Sequence, residues 1–326
     1  MKAVSAKALG AGTLAPKANP SNTPSGGLHR EPTWRRRDRR WGYVFVGPQL
    51  IGMALFVVVP FIASLVLAFA QWDGLNDLSW VGFDNFRAEL SDPLFGRSIV
   101  NTLLIAIITV PIGLGLAIVL AVALEKLKTR TLYLVLFFAP VVTSSVAVAM
   151  IWQQLLRQDG MVSGIIANLF HVKAPNWLGD PHLALIAVCI VTIWSSVGLN
   201  VIIFLAGLQN ISPSVIEAAR LDGAGALTLF FRVRLPLLSP IIFFSTVIAF
   251  ISSLQTFDTV FILTANAGPD NATRTIVYHI YDLGFGKFQF GLASAASIIL
   301  LLITLVITGI QFTAQKKFVH YEDDVA

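Results

Sequence analysis

The stretch EAARLDGAGALTLFFRVRLPLLSP, residues 217–240, separates two long apolar runs and is the main clue to the fold. Its first part carries most of the local charge, in Glu217, Arg220, Asp222, Arg232 and Arg234. The rest of the chain is mostly apolar. Of its 326 residues, 56% are hydrophobic and 13% are charged, whereas an ordinary soluble domain is about 25% charged. The composition indicates a membrane protein in which this stretch begins outside the bilayer.

Long apolar runs recur along the chain. Because lipid offers backbone groups no hydrogen-bond partner, a run of about 20 apolar residues crosses the membrane as a helix. The sequence therefore predicts an all-α polytopic membrane protein with six transmembrane helices. The predicted spans lie at about residues 43–70, 99–123, 132–155, 183–208, 237–263 and 289–313. They form one membrane domain over residues 41–318, in which residues 209–236 connect the fourth and fifth spans.

Basic residues are unevenly distributed among the connections, and this predicts the orientation. With the N-terminus inside, 17 Lys and Arg residues fall on the cytoplasmic side and 6 on the outer side, as the positive-inside rule requires. Both termini are therefore predicted to be cytoplasmic (N-in, C-in). Residues 1–40 form a disordered basic tail and residues 319–326 a short C-terminal tail. Residues 209–236 become a cytoplasmic loop.

Several function classes lack their motifs in this sequence. The single cysteine, Cys189, lies within a span and permits neither an intramolecular disulfide nor a cysteine metal cluster. Nine of the 23 basic residues lie in the first 40, so the net charge of +5 reflects membrane orientation rather than a nucleic-acid partner. Asp258 is the only ionisable residue in the predicted spans, which argues against transport driven by protons or sodium. The sequence also lacks phosphate-binding and hydrolase motifs, so we expect no catalytic residue, cofactor or metal site, and an energy source in another polypeptide.

The cytoplasmic loop is predicted to contain a short helix, a bend and a second helical piece. Ser214 and Glu217 have capping-box spacing, so a helix is expected to begin at residues 213–215 and to end at Gly223. A second piece runs from Ala224 to about Val233, and Pro236 marks the turn into the fifth span. One side of the first helix is predicted to hold Val215, Ala218, Ala219 and Asp222. This pattern fits either a docking surface for another protein or an amphipathic connector resting on lipid headgroups.

The loop pattern resembles a known family. EAARLDGA at residues 217–224, followed by Phe230, Val233 and Leu235-Pro236, is similar to the EAA loop of inner-membrane permease subunits of binding-protein-dependent ABC importers. Segments such as FAPVVTSSVAVAMIWQQLL extend the resemblance over residues 41–318. It is greatest to the carbohydrate-uptake permeases of the first-subunit type, found with maltose, lactose and glycerol-3-phosphate systems. The resemblance implies the type I ABC importer permease architecture.

The resemblance also implies a coupling site and partners. In that family the EAA helix docks into a cleft of a separate ATP-hydrolysing subunit, and Glu217 would be a main contact. The ATPase-coupling residues implied are Glu217, Ala218, Ala219, Asp222, Gly223 and Ala224. The expected partners are a second homologous permease subunit, an ATP-binding cassette ATPase dimer, an extracytoplasmic solute-binding protein and the lipid of the bacterial inner membrane. The chain would need no cofactor, because the partner uses the ATP. Many relatives have bulkier or polar residues where this chain has Gly225-Ala226, so a softer bend is expected.

Neutral polar side chains in the fourth and fifth spans form the candidate solute path. Such groups bind sugar hydroxyls weakly enough to release them, although they also bond helices to one another. The predicted path residues are Thr192, Ser196, Leu199, Asn200, Ser252, Ser253, Gln255 and Thr256. Of these, the family resemblance implies sugar-contacting positions near Thr192, Ser196, Leu199, Ser252, Ser253 and Thr256, and residue type alone selects Asn200 and Gln255. The few aromatic residues there disfavour maltose, and the lack of basic residues in the spans favours a neutral sugar over glycerol-3-phosphate. Another glycoside or a polyol remains an alternative solute.

Two other function classes remain open from the residues alone. A stand-alone secondary carrier or channel would transport without any ATPase. A membrane-embedded enzyme would need a reactive pair of side chains, which the sequence does not offer. The expected function is that of a permease subunit of an ATP-driven importer, which forms the translocation path for a sugar or related small solute.

Overall fold

The computed structural model describes residues 33–171 and 173–318. The tails predicted for residues 1–32 and 319–326 lie outside the described residues. Helix α1 (Thr33–Met53) already begins at Thr33, so the described part of the predicted N-terminal tail is helical rather than disordered.

The described residues divide into two compact units, one that ends at Val59 and one that begins at Pro60. In the first unit α1 contains Pro48 and leads into a π-helical turn, Ala54–Val58. Helix α2 (Val59–Leu67) follows that turn, and the other long helices belong to the second unit: α3 (Asp84–Ser91), α4 (Pro93–Glu125), α5 (Arg130–Val142), α6 (Ser145–Leu156), α7 (Met161–Phe170), α8 (Pro181–Gln209), α9 (Pro213–Leu221), α12 (Ser239–Leu254) and α14 (Phe290–Phe318). The shorter elements are the antiparallel strands β1 (Ala70–Gln71) and β2 (Ser79–Trp80), helices α10 (Ala226–Leu229), α11 (Leu235–Leu237) and α13 (Ile276–Tyr281), π-helical turns at Phe230–Arg234, Thr259–Leu263 and Asp282–Gly286, and a 3-10 turn at Pro269–Asn271. The predicted all-α class is confirmed.

Uninterrupted candidate spans number four within the described residues, at Val44–Leu67, Pro93–Glu125, Pro181–Gln209 and Phe290–Lys316. Two further candidates are bent pairs. Arg130–Val142 and Ser145–Phe170 meet at 101°, and Ala226–Leu237 and Ser239–Leu254 meet at 65°. The number rises to six when each bent pair counts as one span.

The third and fifth predicted spans are broken rather than continuous. The third, predicted at 132–155, stops at Val142 shortly after Pro140, and the Thr143 hydroxyl donates to the Ala139 carbonyl at 2.8 Å. The fifth, predicted at 237–263, stops at Leu254, and the Thr256 hydroxyl donates to the Ser253 carbonyl at 2.8 Å. In both cases a threonine hydroxyl donates to a carbonyl at the helix end. Such local side-chain hydrogen bonds compete with continuation of the helix.

The pieces beyond the two breaks pack against each other. Helix α6 contacts the π-helical turn Thr259–Leu263. Gln153 Nε2 donates to the Ile262 carbonyl at 2.6 Å, and the Ser145 hydroxyl donates to the Asp258 carboxylate. Each broken span therefore supplies polar groups that stabilise the other.

The central packing unit consists of α4, α5, α8 and α12. Helix α4 packs along α8, and the buried residues between them include Ala117, Ala121 and Val201. Helix α5 approaches α8 at Gly198, where a Cβ atom would lie 1.8 Å from the Phe137 carbonyl oxygen. Small residues permit such close approach of membrane helices. The sequence has glycine at position 198 because α5 occupies the space of a side chain.

Candidate functional site

A cavity of about 230 Å³ lies among α4, α5, α8 and α12. Its wall is mostly apolar, with polar side chains at a few positions and no ionisable residue among the described residues that line it. Its lining residues are Thr109, Val110, Gly113, Leu114, Val141, Thr192, Ser195, Ser196, Leu199, Asn200, Ile203, Phe244, Ser245, Ile248, Ala249, Ser252 and Ser253. A largely apolar pocket with a few polar groups is typical of small-molecule sites.

Most of the predicted solute-path residues meet at this cavity. Thr192, Ser196 and Asn200 repeat every four residues along α8, so they share one helix face with Leu199 beside them. Ser252 and Ser253 reach the cavity from α12. Two predicted path residues, Gln255 and Thr256, do not line it, and both lie beyond the end of α12 at Leu254.

The structure adds cavity residues that the sequence did not single out as path residues. From α4 come Thr109 and Gly113, and the Thr109 hydroxyl lies 3.2 Å from that of Ser253. A Cβ atom on Gly113 would lie 3.8 Å from Ser196 Oγ, so this glycine leaves room beside the serine. Ser245 lines the cavity from α12. These residues are polar or small, as cavity residues often are, but the sequence alone does not show that α4 faces α8.

The cavity hydroxyls differ in how their hydrogen bonds are satisfied. Ser195 and Ser196 donate within α8, to the carbonyls of Val191 at 2.8 Å and Ile193 at 3.2 Å. In contrast, Thr192 Oγ1 and Ser245 Oγ are buried and have no hydrogen-bond partner among the described residues. A buried hydroxyl without a partner is costly, so a solute hydroxyl that approached these two groups would satisfy them.

The coupling segment, defined as residues 213–237, follows α8 after a short turn. Helix α9 ends in a Schellman motif: Ala224 N donates to the Ala219 carbonyl and Gly223 N to the Arg220 carbonyl, both at 3.0 Å. Gly223 has φ +82°, a left-handed conformation that favours glycine. The predicted helix end at Gly223 is confirmed.

The predicted capping box at the start of α9 is wrong. Ser212, not Ser214, occupies the N-cap position, and Pro213 is the first helical residue. The Ser212 side chain makes no capping bond and instead lies 2.7 Å from the Ser214 hydroxyl. Because Pro213 suits the first helical position, the helix begins there without help from Glu217.

The side chains predicted for ATPase coupling are largely exposed. Glu217, Ala218, Asp222 and Gly223 are exposed, whereas Ala219 and Ala224 are half-buried. Ala219 therefore does not belong to the open face that was predicted to include it. It lies three residues after Ile216, a half-buried side chain that packs on the α4–α8 cluster.

Exposed apolar side chains flank the Gly223 bend. Leu221 is 88% exposed and Leu227 is 75% exposed. Leu221 lies one helical turn after Glu217, so the two share a side of α9. Leu221 was not among the predicted coupling residues, although a leucine within a charged loop was a usable signal.

The coupling segment is directly connected to two walls of the cavity. It follows α8, which supplies Thr192 and Asn200, and it precedes α12, which supplies Ser245 and Ser253. Beyond the bend it continues as one helical run through α10, the π-helical turn and α11. The predicted turn at Pro236 occurs two residues later, at Leu238, between α11 and α12. A displacement of this segment would therefore move both helices.

A buried ion cluster lies beyond the α12 break, between α3 and the residues around α13. Arg274 donates to His279 Nδ1 through Nε at 3.2 Å and through Nη2 at 3.0 Å, and Nη2 also lies 2.6 Å from Asp282 Oδ2. Because a guanidinium only donates, His279 Nδ1 is the acceptor and Nε2 carries the proton. That Nε2 donates to Glu89 Oε2 at 2.9 Å.

The charge of Arg274 controls the ionisation of Asp282. Burial raises the pKa of Asp282, but the hydrogen bond and charge of Arg274, together with Lys287, outweigh it, so the pKa lies below its ordinary value. A lowered carboxyl pKa stabilises the fold at neutral pH. This contribution is lost as the pH falls through the folded-state pKa.

The ion cluster is also hydrogen-bonded to elements that lead to the cavity. Asn101 of α4 donates to the Arg274 carbonyl at 3.1 Å, and Thr275 Oγ1 donates to the Thr256 carbonyl at 2.9 Å. Thr256 follows the cavity residue Ser253 by three positions. The cluster thus fixes the chain around the α12 break.

Replacing Arg274 with methionine is expected to destabilise the protein by about 2 kcal/mol, because it leaves His279 Nδ1 without its donor and Asp282 with Lys287 alone, at 3.4 Å. The matched control is Arg87→Met, since Arg87 pairs with Asp84 on the surface with side chains 81% and 72% exposed. Exposed pairs contribute about 0–1 kcal/mol. Thermal unfolding in detergent measures both, and equal midpoints for the two variants would contradict the role given to the cluster.

Within the described residues, no group of three or more His, Cys, Asp and Glu side chains is placed to hold a metal ion.

Comparisons with known proteins agree on one family. The model of the binding-protein-dependent transport system inner membrane component family matches residues 95–319. The probable ABC transporter permease protein YesP of Bacillus subtilis is 35% identical over 291 residues, which cover 88% of this chain and 94% of that protein. The lactose transport system permease protein LacF of Rhizobium radiobacter is 33% identical over 282 residues, covering 85% of this chain and 94% of that protein.

A solved structure is also similar. It is a chain of a bacterial ABC transporter involved in the import of the acidic polysaccharide alginate, with a TM-score of 0.77 and 25% identity over 88% of this chain and 99% of that chain. The family description names an inner membrane component, which agrees with the apolar spans, and permeases are transport components rather than enzymes. Because the family model matches more than half of this chain, the chain belongs to the binding-protein-dependent transport system inner membrane component family.

Proposed function

We propose that this protein is a permease subunit of an ATP-driven ABC importer and forms part of the translocation path for a neutral sugar or related small solute. The proposal includes the N-in, C-in orientation, which puts the coupling segment in the cytoplasm. The observation that carries it is the cavity among α4, α5, α8 and α12, which brings together the neutral polar residues of the predicted path.

The lining of the cavity favours an uncharged solute. Its polar groups are hydroxyls and the Asn200 amide, and Thr192 and Ser245 offer hydroxyls without a partner among the described residues. An anionic solute would be expected to require a basic partner there, and the lining has none among the described residues. LacF, by its name, belongs to a lactose transport system, so a neutral mono- or disaccharide is the proposed solute class.

A second, homologous permease subunit is the proposed partner on the open side of the cavity. Three apolar lining residues are exposed there: Leu199 by 46%, Phe244 by 61% and Ile248 by 49%. A translocation path needs a wall that excludes lipid, and a homologous subunit would supply it. An extracytoplasmic solute-binding protein would deliver the sugar, in keeping with the family description.

A separate ATPase dimer is the proposed energy source, with α9 as its docking element. The exposed Glu217, Ala218, Asp222 and Leu221 would contact the ATPase, and Gly223 would set the angle of the bend. Because the coupling segment continues into α12 and follows α8, movement of a docked α9 would change the cavity. The chain itself would need no cofactor, since ATP is used by the partner.

Reconstitution with the proposed partners tests the function. The permease pair, the ATPase and the binding protein are placed in vesicles with a panel of neutral mono- and disaccharides that includes lactose. We expect at least one sugar to stimulate ATP hydrolysis only when the binding protein is present, and to enter the vesicles only with ATP. Uptake by this chain without the ATPase would instead support the stand-alone carrier or channel.

Replacing Glu217 with alanine is expected to weaken ATPase association about tenfold, since a buried interfacial carboxylate contact contributes roughly 1.4 kcal/mol or more. Membrane insertion should be unchanged because Glu217 is exposed. Ser214→Ala is the control, an exposed residue on the same helix outside the proposed contacts. Co-purification of the ATPase with the tagged permease measures the effect. Equal recovery with Glu217→Ala and Ser214→Ala would show that α9 does not dock through Glu217.

A further inference from the structure

A second connection joins the coupling segment to the helix bundle through an ion pair. Arg234 Nη1 lies 2.7 Å from Glu125 Oε2, and the two side chains are 10% and 20% exposed. Arg234 ends the π-helical turn Phe230–Arg234, and Glu125 is the last residue of α4. The two residues are 109 positions apart in the sequence.

Stability alone does not account for this pair. A carboxylate at the C-terminal end of a helix opposes the helix dipole, and Glu125 occupies that position in a helix of 33 residues. Arg234 Nε is buried and has no hydrogen-bond partner among the described residues. Apolar residues of similar volume often replace a buried ion pair without loss of stability. The pair is therefore better explained by the position in which it holds the π-helical turn relative to α4.

The two arginines of the π-helical turn Phe230–Arg234 differ in burial. Arg232 and Arg234 both lie in the turn, yet Arg232 is exposed and Arg234 is 8% exposed. A π-turn adds one residue to a helical turn and often occurs at functional sites. Arg232 is thus a natural comparison, because it has the same charge in the same turn.

We propose that Arg234 and Glu125 are positioning residues that transmit displacement of the coupling segment to α4, and so to Thr109 and Gly113 in the cavity wall. The proposal rests on the proposed function, in which the ATPase moves α9. Helices α8 and α12 are joined to the coupling segment by the chain itself, whereas α4 is not. The connection to α12 is bent by 65° after Leu237. The ion pair gives α4 its own short connection to the moving segment.

The test separates transmission from structural support with three variants in the complete complex. Arg234→Gln and Glu125→Gln each remove one partner, and Arg232→Gln removes the same charge from the exposed neighbour. Measurements are ATPase co-purification, ATP hydrolysis, and uptake of radiolabelled lactose or of the panel sugar that the wild-type complex transports best. We expect sugar transported per ATP to fall about fivefold or more in the first two variants, the scale of a lost coupling between sites, and to be unchanged in Arg232→Gln.

The double variant Glu125→Leu/Arg234→Met distinguishes the two roles if a single variant assembles poorly. It leaves no unpaired buried charge. If the pair has only a structural role, the complex with this variant should regain wild-type assembly and wild-type sugar transported per ATP. We expect assembly to recover while sugar per ATP stays low. Recovery of both, or continued failure to assemble, overturns the proposal, as does wild-type sugar per ATP in the single variants. If the wild-type complex shows no ATP-dependent uptake, the proposed function fails instead.

Discussion

Replacing Gly198 with alanine is expected to force α5 and α8 apart and to destabilise the protein by about 3 kcal/mol, the upper range for overpacking a core. A Cβ atom at this position would lie 1.8 Å from the Phe137 carbonyl oxygen and 2.5 Å from its carbonyl carbon. Carbon and carbonyl oxygen come no closer than about 3.3 Å in favourable contacts. Because the obstacle is backbone, the helices must separate by roughly 1.5 Å.

The same substitution is expected to abolish most transport. Gly198 precedes the cavity residue Leu199, and α5 contributes Val141 to the cavity wall. Separation of α5 from α8 would therefore widen the cavity and change the positions of its hydroxyls. Sugar uptake by the reconstituted complex measures this effect, and thermal unfolding of the purified chain in detergent measures the loss of stability.

Gly115 provides the matched control. It lies inside α4, and a Cβ atom there would meet nothing within 4 Å. Alanine in place of glycine inside a helix stabilises by roughly 0.5–1 kcal/mol, so Gly115→Ala should unfold no earlier than the wild type. If Gly198→Ala and Gly115→Ala unfold at the same temperature, α5 does not contact α8 at Gly198.

Local signals in the sequence predicted the features that depend on one segment alone. The end of α9 at Gly223 follows from the preference of a left-handed helix cap for glycine, which acts within a few residues. The meeting of Thr192, Ser196 and Asn200 follows from their spacing on one helix. The apolar runs predicted six spans, because lipid imposes the same length on each, and the described residues contain four uninterrupted candidates and two bent pairs.

Features that depend on two distant segments were not predictable in this way. Nothing near Thr109 shows that it faces Ser253, and nothing near Gly198 shows that a carbonyl of α5 lies against it. The helix breaks at Thr143 and at Gln255 belong to the same class. Each requires a partner that forms hydrogen bonds with the freed polar groups, as Gln153 of α6 does by donating to the Ile262 carbonyl. A run of apolar residues carries no information about such partners.

Replacing Gly223 with proline is expected to separate transport from membrane insertion more completely than any other change in the coupling segment. Proline requires φ near −65°, whereas Gly223 has φ +82°. Proline also lacks the N–H that Gly223 donates to the Arg220 carbonyl at 3.0 Å. In addition it disfavours the helical backbone of the preceding residue, and Asp222 has φ −75° and ψ 6°.

The substitution is expected to destabilise the bend after α9 by about 3 kcal/mol, the cost of a proline that removes a helical hydrogen bond. The rest of the fold should be unaffected. The spans should insert normally, because no side chain in residues 212–223 is fully buried. ATPase co-purification and ATP-driven sugar uptake should each fall more than about tenfold, since 1.4 kcal/mol already corresponds to a factor of ten. Normal co-purification and uptake would show that the proposed docking role of the bend is wrong.

Two neighbouring substitutions make this experiment specific for the bend. Gly225 has φ −70°, a value that proline adopts, and a Cβ atom there would meet nothing within 4 Å. Gly225→Pro should therefore retain most ATPase association. Gly223→Ala keeps the N–H, and its only cost is the left-handed backbone conformation, about 1–2 kcal/mol. Its loss of ATPase association should therefore lie between the losses of the two proline variants. An order of loss with Gly223→Pro greatest and Gly225→Pro least would show that the ATPase recognises the angle set at Gly223, whereas equal losses at 223 and 225 would indicate only that proline disturbs the loop.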